Sequence, residues 1–360
     1  MPQVSVIIPS YNAIAHLPMA VQSVLHQTFT DYELIIVNDG STDGTDQWLR
    51  PLSDPRIRPL WQPNQGKSAA RNAGIQAARS PLIAFLDADD LWEPTKLEQQ
   101  VAYLAAHPEV DVVYTWTALA DANGHPTGRL IAHRAEGDVW PDLMRANILT
   151  CGSTPLIRAD CFQQVGLFAP DLPFAQDWEM WIRLAARFQF GVVPAPLVRY
   201  RQHAHNTSRD WRRMQACNTQ VLERAFQAPP PQHRASVPQL QSTAFHTLYL
   251  YLGWLALRSR DYRDARCLWR QACEVVPGKR YTPESVRLWL AIGVERSLGR
   301  RRYGAVLSVW HRLRQSLIPQ GIHWRTLFLP RGAGQQQPQG VGGQGSGRGP
   351  ERKATVAGRS

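Results

Sequence analysis

Three carboxylates, Asp87, Asp89 and Asp90, close the segment PLIAFLDADD, directly after an apolar run of Leu82, Ile83, Ala84, Phe85 and Leu86. Aspartates one residue apart can hold a hard divalent cation, and such a cation can hold a diphosphate. Asp39 ends a second apolar run, ELIIVN, and suits acceptance of a hydrogen bond from a base N–H. Arg71 supplies fixed positive charge if it faces the same crevice. Asp177 lies far along the chain, in QDWEMWIRL. It stands in the first turn of the helix that this segment opens. His203, just past a strand end, could ligate a metal or touch phosphate. Each has a plainer reading: Asp89 or Asp90 capping a helix that starts near Pro94, Asp177 favoured by its own helix dipole, His203 on the surface.

These groups need elements to position them. Val4–Pro9 reads as a buried strand followed by Ser10, Tyr11 and Asn12, then a helix over Ala15–Gln27. Glu33–Asn38 is a second strand that runs into Asp39-Gly40-Ser41-Thr42-Asp43-Gly44-Thr45, a tight turn and helix cap. Arg56–Trp61 is a weaker strand. A helix from Asn64-Gln65-Gly66-Lys67-Ser68 to Ala78 carries Arg71, and the strand ending at the aspartates follows. Strands alternating with helices predict βαβ units and a mostly parallel sheet. Right-handed crossovers bring Tyr11, Asp39, Asp87 and Asp89 to one sheet edge, where open α/β sheets bind ligands. Beyond it, the residues predict a helix over Pro94–His107, strands at Val110–Thr117, Arg129–His133 and Thr154–Ile157, and a turn at Asp121-Ala122-Asn123-Gly124. A strand over Gly191–Tyr200 ends this region. The glycines form neither GxGxxG after the first strand nor GxxxxGK[ST], so a Rossmann dinucleotide site and a P-loop are unsupported.

The 360 residues allow one large domain plus a smaller one. No apolar run approaches the roughly 18–20 residues that span a bilayer, and the start, MPQVSVIIPS, lacks the basic region of a signal peptide. Five cysteines without CxxC spacing argue against a disulfide framework and a zinc site, and for a cytoplasmic location. The net charge of +11 divides into −6 over residues 1–208, +13 over residues 209–330 and +4 beyond. Domains are therefore expected at 1–208, 209–330 and 331–360, the last a disordered tail.

VSVIIPSYN, ELIIVNDGSTDGT, GKSAARNAGI, IAFLDADD and QDWEMWIRL occur in an order and at spacings similar to those of the family 2 glycosyltransferases of GT-A fold. The resemblance covers roughly the first 205 residues. It implies a nucleotide-diphosphate-sugar donor, a UDP-sugar first, a divalent cation (Mn²⁺ or Mg²⁺), and inversion at the anomeric carbon. Carried over by position, Pro9, Tyr11, Asp39, Arg71, Asp87 and Ala88 would line the nucleotide-sugar pocket. Asp87-Ala88-Asp89 would be the DxD element, with Asp89, Asp87 and His203 toward the metal, and Asp177 would be the general base. The family usually has Glu-Asp at the base position, whereas here it is Gln176-Asp177. An acceptor hydroxyl on a glycan or lipid-linked oligosaccharide, as in polysaccharide or cell-envelope biosynthesis, is the expected partner.

Residues 210–330 read as helical. Within Thr247–Pro277 the spacing of Leu252-Gly253, Asp261-Tyr262, Ala265, Trp269, Ala272 and Pro277 resembles a tetratricopeptide repeat, with a weaker copy around Gly293, Tyr303 and Ala305. One clear repeat is too few for a free-standing array, so packing on the first domain is expected. The region is read as a docking surface for a protein partner or the acceptor, or as a helical cap. Arg300-Arg301-Arg302 suggests peripheral contact with an anionic membrane at its inner face, and nucleic acid is not an expected partner. The competing functional class is a non-catalytic adaptor binding partners through the helices.

Overall fold

The computed structural model describes residues 1–203, 210–294 and 296–297. Among these, nine strands form one sheet. Val4–Ser10 is β1 and Leu17–Leu25 is α1; Tyr32–Asp39 is β2 and Thr45–Leu49 is α2. Ile57–Gln62 is β3, Lys67–Ala77 is α3 and Leu82–Phe85 is β4. Every residue of β1, β2 and β4 is buried, which explains why they read as continuous apolar runs rather than alternating ones. They pair in parallel in the order β3-β2-β1-β4.

Beyond β4 the sheet is mixed rather than mostly parallel. Leu91–Trp92 is β5, Lys96–Ala106 is α4, Val112–Ala120 is β6, Pro126–Ile131 is β7 and Trp140–Arg145 is α5. Leu156–Arg158 is β8, Asp160–Val165 is α6, Gln176–Ala185 is α7 and Phe190–Arg201 is β9. The order continues β4-β8-β6-β9-β5, with β8 antiparallel to both neighbours and only β6–β9 parallel. The turn around Gly124 (φ +86) forces β6 and β7 antiparallel, because so short a connection leaves no room for a crossover helix.

The helical part begins with Trp211–Gln227, α8, whose Asp210 caps the Arg213 N–H. Val237–Arg258 is α9, Tyr262–Val275 is α10, and residues 283–294 are helical. The repeat-like positions form the interior of this hairpin: Leu252, Gly253, Ala265, Trp269 and Ala272 are buried. Trp269 Nε1 donates to the Ser285 carbonyl at 3.1 Å. One apolar cluster runs from Ile7 and Phe85 through Trp181 to Leu252 and Trp269, so these helices share a core with the sheet. No helix among the described residues is long and apolar enough to cross a membrane. The weaker repeat copy at Tyr303 and Ala305, the Arg300-Arg301-Arg302 cluster and the tail from Arg331 lie outside the described residues.

Candidate active site

Asp39 ends β2, and both its oxygens are already used. Oδ1 accepts from Gln62 Nε2 at 2.7 Å and the Gln65 N–H at 2.9 Å; Oδ2 accepts from the Gly66 N–H at 2.8 Å. Asp39 therefore anchors the entry of α3, and a base N–H would have to share it. The loop after β1 is laced to the loop after β2. Asn12 N–H donates to Ser41 Oγ at 3.0 Å, and Ile14 N–H to Asp43 Oδ2 at 2.9 Å. Pro9 is buried within β1, and Tyr11 stands half-exposed at the strand end.

The first turns of α3 point two cations at one carboxylate. Lys67 and Arg71, one turn apart, share a helix face. Lys67 Nζ meets Asp87 Oδ2 at 2.8 Å, and Arg71 Nη2 donates to Asp87 Oδ1 at 2.8 Å. Arg71 does not line open space: it is 1% exposed, with its guanidinium 5.1 Å from the Phe168 ring centre. Burial alone would raise the Asp87 pKa, but the charges of Lys67 and Arg71 outweigh it and hold it at about 2. Lys67 was not singled out from sequence; its place four residues before Arg71 was the available signal.

Asp87, Asp89 and Asp90 each offer a carboxylate oxygen within 4.8 Å of the others. Neither Asp89 nor Asp90 caps α4, whose N-cap is Thr95. Asp90 is buried and accepts from Ser153 Oγ at 2.6 Å and the Arg201 N–H at 3.2 Å. Burial, then the Asp89 and Asp87 charges, push its pKa well above the ordinary value. Ala88 is buried between them. His203 Nε2 lies 3.0 Å from Asp89 Oδ2, and its ring packs 4.9 Å from that of His16. An all-oxygen cluster of this size fits a hard divalent cation by its donor chemistry.

The segment Thr150–Ser153 covers this cluster. Thr150 holds a φ of +72, unusual for a β-branched residue. Gly152 packs on Arg71, and Ser153 Oγ accepts from the Asp87 N–H at 3.1 Å. Burial raises the Cys151 pKa well above normal, and the charges of Asp90, Asp87 and Asp177 add to it. Asp177 sits in the first turn of α7, after Ala175 in the left-handed region (φ +56), and is partly exposed. Its Oδ1 accepts from the Trp178 N–H at 2.8 Å. Gln176 is buried. None of Gly152, Ser153 or Arg201 carried a local sequence signal.

The family model described as "Glycosyl transferase family 2" matches residues 5–163. An uncharacterized glycosyltransferase of Rickettsia prowazekii is 32% identical over 214 residues, covering 58% of this chain. The chain spans 66% of that relative, and 36% and 30% of uncharacterized glycosyltransferases from Nostoc and Rickettsia bellii. A Bacillus subtilis glycosyltransferase, TuaG, provisionally named for teichuronic acid biosynthesis, is 34% identical over 186 residues, 51% of this chain and 72% of the relative. Among solved structures, the Pyrobaculum calidifontis mannosyltransferase PcManGT, in complex with GDP-Man and Mn²⁺, superposes with a TM-score of 0.55 at 18% identity. That superposition covers 83% of this chain and 88% of the other, a likeness of fold. With its β4 carboxylates, its β2 loop and these relatives agreeing, the chain belongs to glycosyl transferase family 2.

Proposed function

We propose that this chain is an inverting, cation-dependent glycosyltransferase that moves a sugar from a nucleotide-diphosphate sugar, a UDP-sugar first, to a hydroxyl of a glycan or lipid-linked acceptor. The observation that carries the reading is the convergence of Asp87, Asp89 and Asp90 at the carboxyl end of β4, on the same sheet edge as the Asp39 loop after β2, with β1 between. Family membership and the relative named for teichuronic acid biosynthesis support a glycan acceptor. The nucleotide sugar and Mn²⁺ in a structure of similar fold support the donor class.

Asp89, Asp87 and His203 would hold the cation, which when bound supplies charge neutralisation for the departing diphosphate. The chain's own residues do the rest. Tyr11, Pro9 and Asp39 line the end of the sheet where the base would lie. Lys67 and Arg71 hold the Asp87 pKa down to about 2, which keeps it ionised near neutral pH. Asp177 takes the proton from the acceptor hydroxyl as that oxygen attacks the anomeric carbon from the face opposite the leaving diphosphate. A separate base and a separate cation-holding cluster are what single displacement requires.

The test is thermal stability of the purified protein against a panel of nucleoside diphosphates, with and without Mn²⁺, since a ligand of the folded state raises Tm. The expected result is a cation-dependent shift with uridine diphosphate that Asp89→Ala abolishes. No shift with any nucleotide would overturn the reading in favour of an adaptor.

A further inference from the structure

We infer that Arg201 is the positioning residue of the acid loop: it fixes the main chain of Asp89 so that the carboxylate is presented for cation binding. The inference rests on the cation-dependent reading above.

Arg201 is the last residue of β9 and is 1% exposed. Its Nε donates to the Asp89 carbonyl at 2.7 Å and its Nη1 to the Ala122 carbonyl at 2.9 Å. Its own N–H donates to Asp90 Oδ1 at 3.2 Å, and Nη2 approaches Met19 Sδ at 3.8 Å. One guanidinium therefore joins the acid loop, the β6–β7 turn and α1. Two residues on, His203 meets the Asp89 side chain at 3.0 Å. The exit of β9 thus holds Asp89 from both its main chain and its carboxylate.

The need for such a clamp is electrostatic. Three carboxylates within 4.8 Å repel one another, and the loop that carries them spans only a few residues between β4 and β5. A fixed cation behind the loop opposes its relaxation without occupying the carboxylate that faces a ligand. A planar fork can bond two carbonyls from separate segments at once, whereas lysine offers a single point charge. Gly124 leaves the space for this fork. A Cβ there would lie 3.3 Å from Arg201 Nη2 and 2.8 Å from Leu91 Cδ1.

The experiment measures the Mn²⁺ dissociation constant by electron paramagnetic resonance of free Mn²⁺, on full-length protein, with and without uridine diphosphate. Four variants are compared with wild type: Arg201→Met, Arg201→Lys, Gly124→Ala and Arg158→Met. Arg158 is the control, because it clamps the carbonyls of Val110 and Leu104, both at 3.0 Å, away from the acid loop. Partners of ligating groups are generally worth 10–100-fold in metal affinity, so Arg201→Met should weaken Mn²⁺ binding by roughly 10–100-fold. Arg201→Lys should recover little of it. Gly124→Ala, which keeps the arginine but crowds it and Leu91 and strains the turn at φ +86, should shift affinity in the same direction by less, and it carries the test if the arginine variants do not fold. Arg158→Met should lower Tm and leave Mn²⁺ affinity unchanged. Wild-type Mn²⁺ affinity in folded Arg201→Met or Arg201→Lys, or in Gly124→Ala if neither folds, overturns the inference alone. Absence of Mn²⁺ binding by the wild type overturns the cation-dependent reading itself, and the inference with it.

Discussion

Replacing Gly152 with alanine probes the buried charge pair at the centre of the site. A Cβ there would lie 2.3 Å from Arg71 Nη2, 3.2 Å from its Cζ and 3.5 Å from Asp87 Oδ1. Gly152 is not in the left-handed region, so the methyl meets no backbone strain, and its whole cost is contact. An arginine tip could ordinarily swing aside. This one is 1% exposed and lies against the rings of Phe168 and Phe85, so moving it breaks its bond to Asp87. Overpacking costs about 1–3 kcal/mol and losing a hydrogen bond to a charged group about 1.5–3, so the variant should lose roughly 3–5 kcal/mol of unfolding free energy. The pH dependence carries a signature. The Asp87 pKa is held at about 2 in the folded protein against an ordinary 3.8. A depressed carboxylate stabilises the fold above its unfolded pKa, and that contribution disappears as pH falls through the folded value. Here it is worth on the order of 2 kcal/mol, present above about pH 4 and lost toward pH 2. The partly exposed Lys67 can stay with Asp87, so alanine removes only Arg71's share. Urea unfolding followed by tryptophan fluorescence at pH 7, 4 and 3 should show the gap between wild type and variant widest at neutral pH and narrowing on acidification. A variant within about 0.5 kcal/mol of wild type at pH 7, or a gap that does not narrow, refutes the argument.

Asp177→Asn should lower kcat by roughly 10²–10⁴-fold while leaving the nucleotide-induced Tm shift intact, read by sugar transfer and thermal shift on the same sample. Loss of the shift along with activity would place Asp177 in the donor site instead. Ser153→Ala removes the hydroxyl that donates to Asp90 and accepts from the Asp87 N–H, and should destabilise by about 1–3 kcal/mol. Chemical denaturation checks it. Trp269→Phe loses the bonds to the Ser285 carbonyl and hydroxyl in the helical part. It should lower stability by about 1–3 kcal/mol without changing nucleotide affinity; a parallel loss of affinity would tie those helices to the donor site.

The elements around the sheet were legible because their periodicities were simple. β1, β2 and β4 are buried throughout and read as apolar runs, and α7 shows its buried positions at helical spacing. The mixed half of the sheet was less legible. β8 is only three residues long, and its pairing with both β4 and β6 follows from how the chain returns, which no local pattern encodes. The fate of Arg71 was open for the same reason. The sequence offered it as a charge for the crevice, and only packing against Phe85 and Phe168 decided that it lies beneath Asp87 instead.

By itself the sequence determined which carboxylates stand at strand and helix ends, because charge following an apolar run marks the point where a buried strand meets a polar edge. It also determined the order of the family motifs. Only the tertiary structure decided how those carboxylates are held. Asp39 is tied to Gln62, Gln65 and Gly66, Asp87 is shared by Lys67 and Arg71, and Asp89 and Asp90 are clamped by Arg201, His203 and Ser153. Many of these bonds join residues dozens of positions apart in the chain. Their geometry is set by the register of the sheet and the packing of its helices, which exist only once the chain has folded.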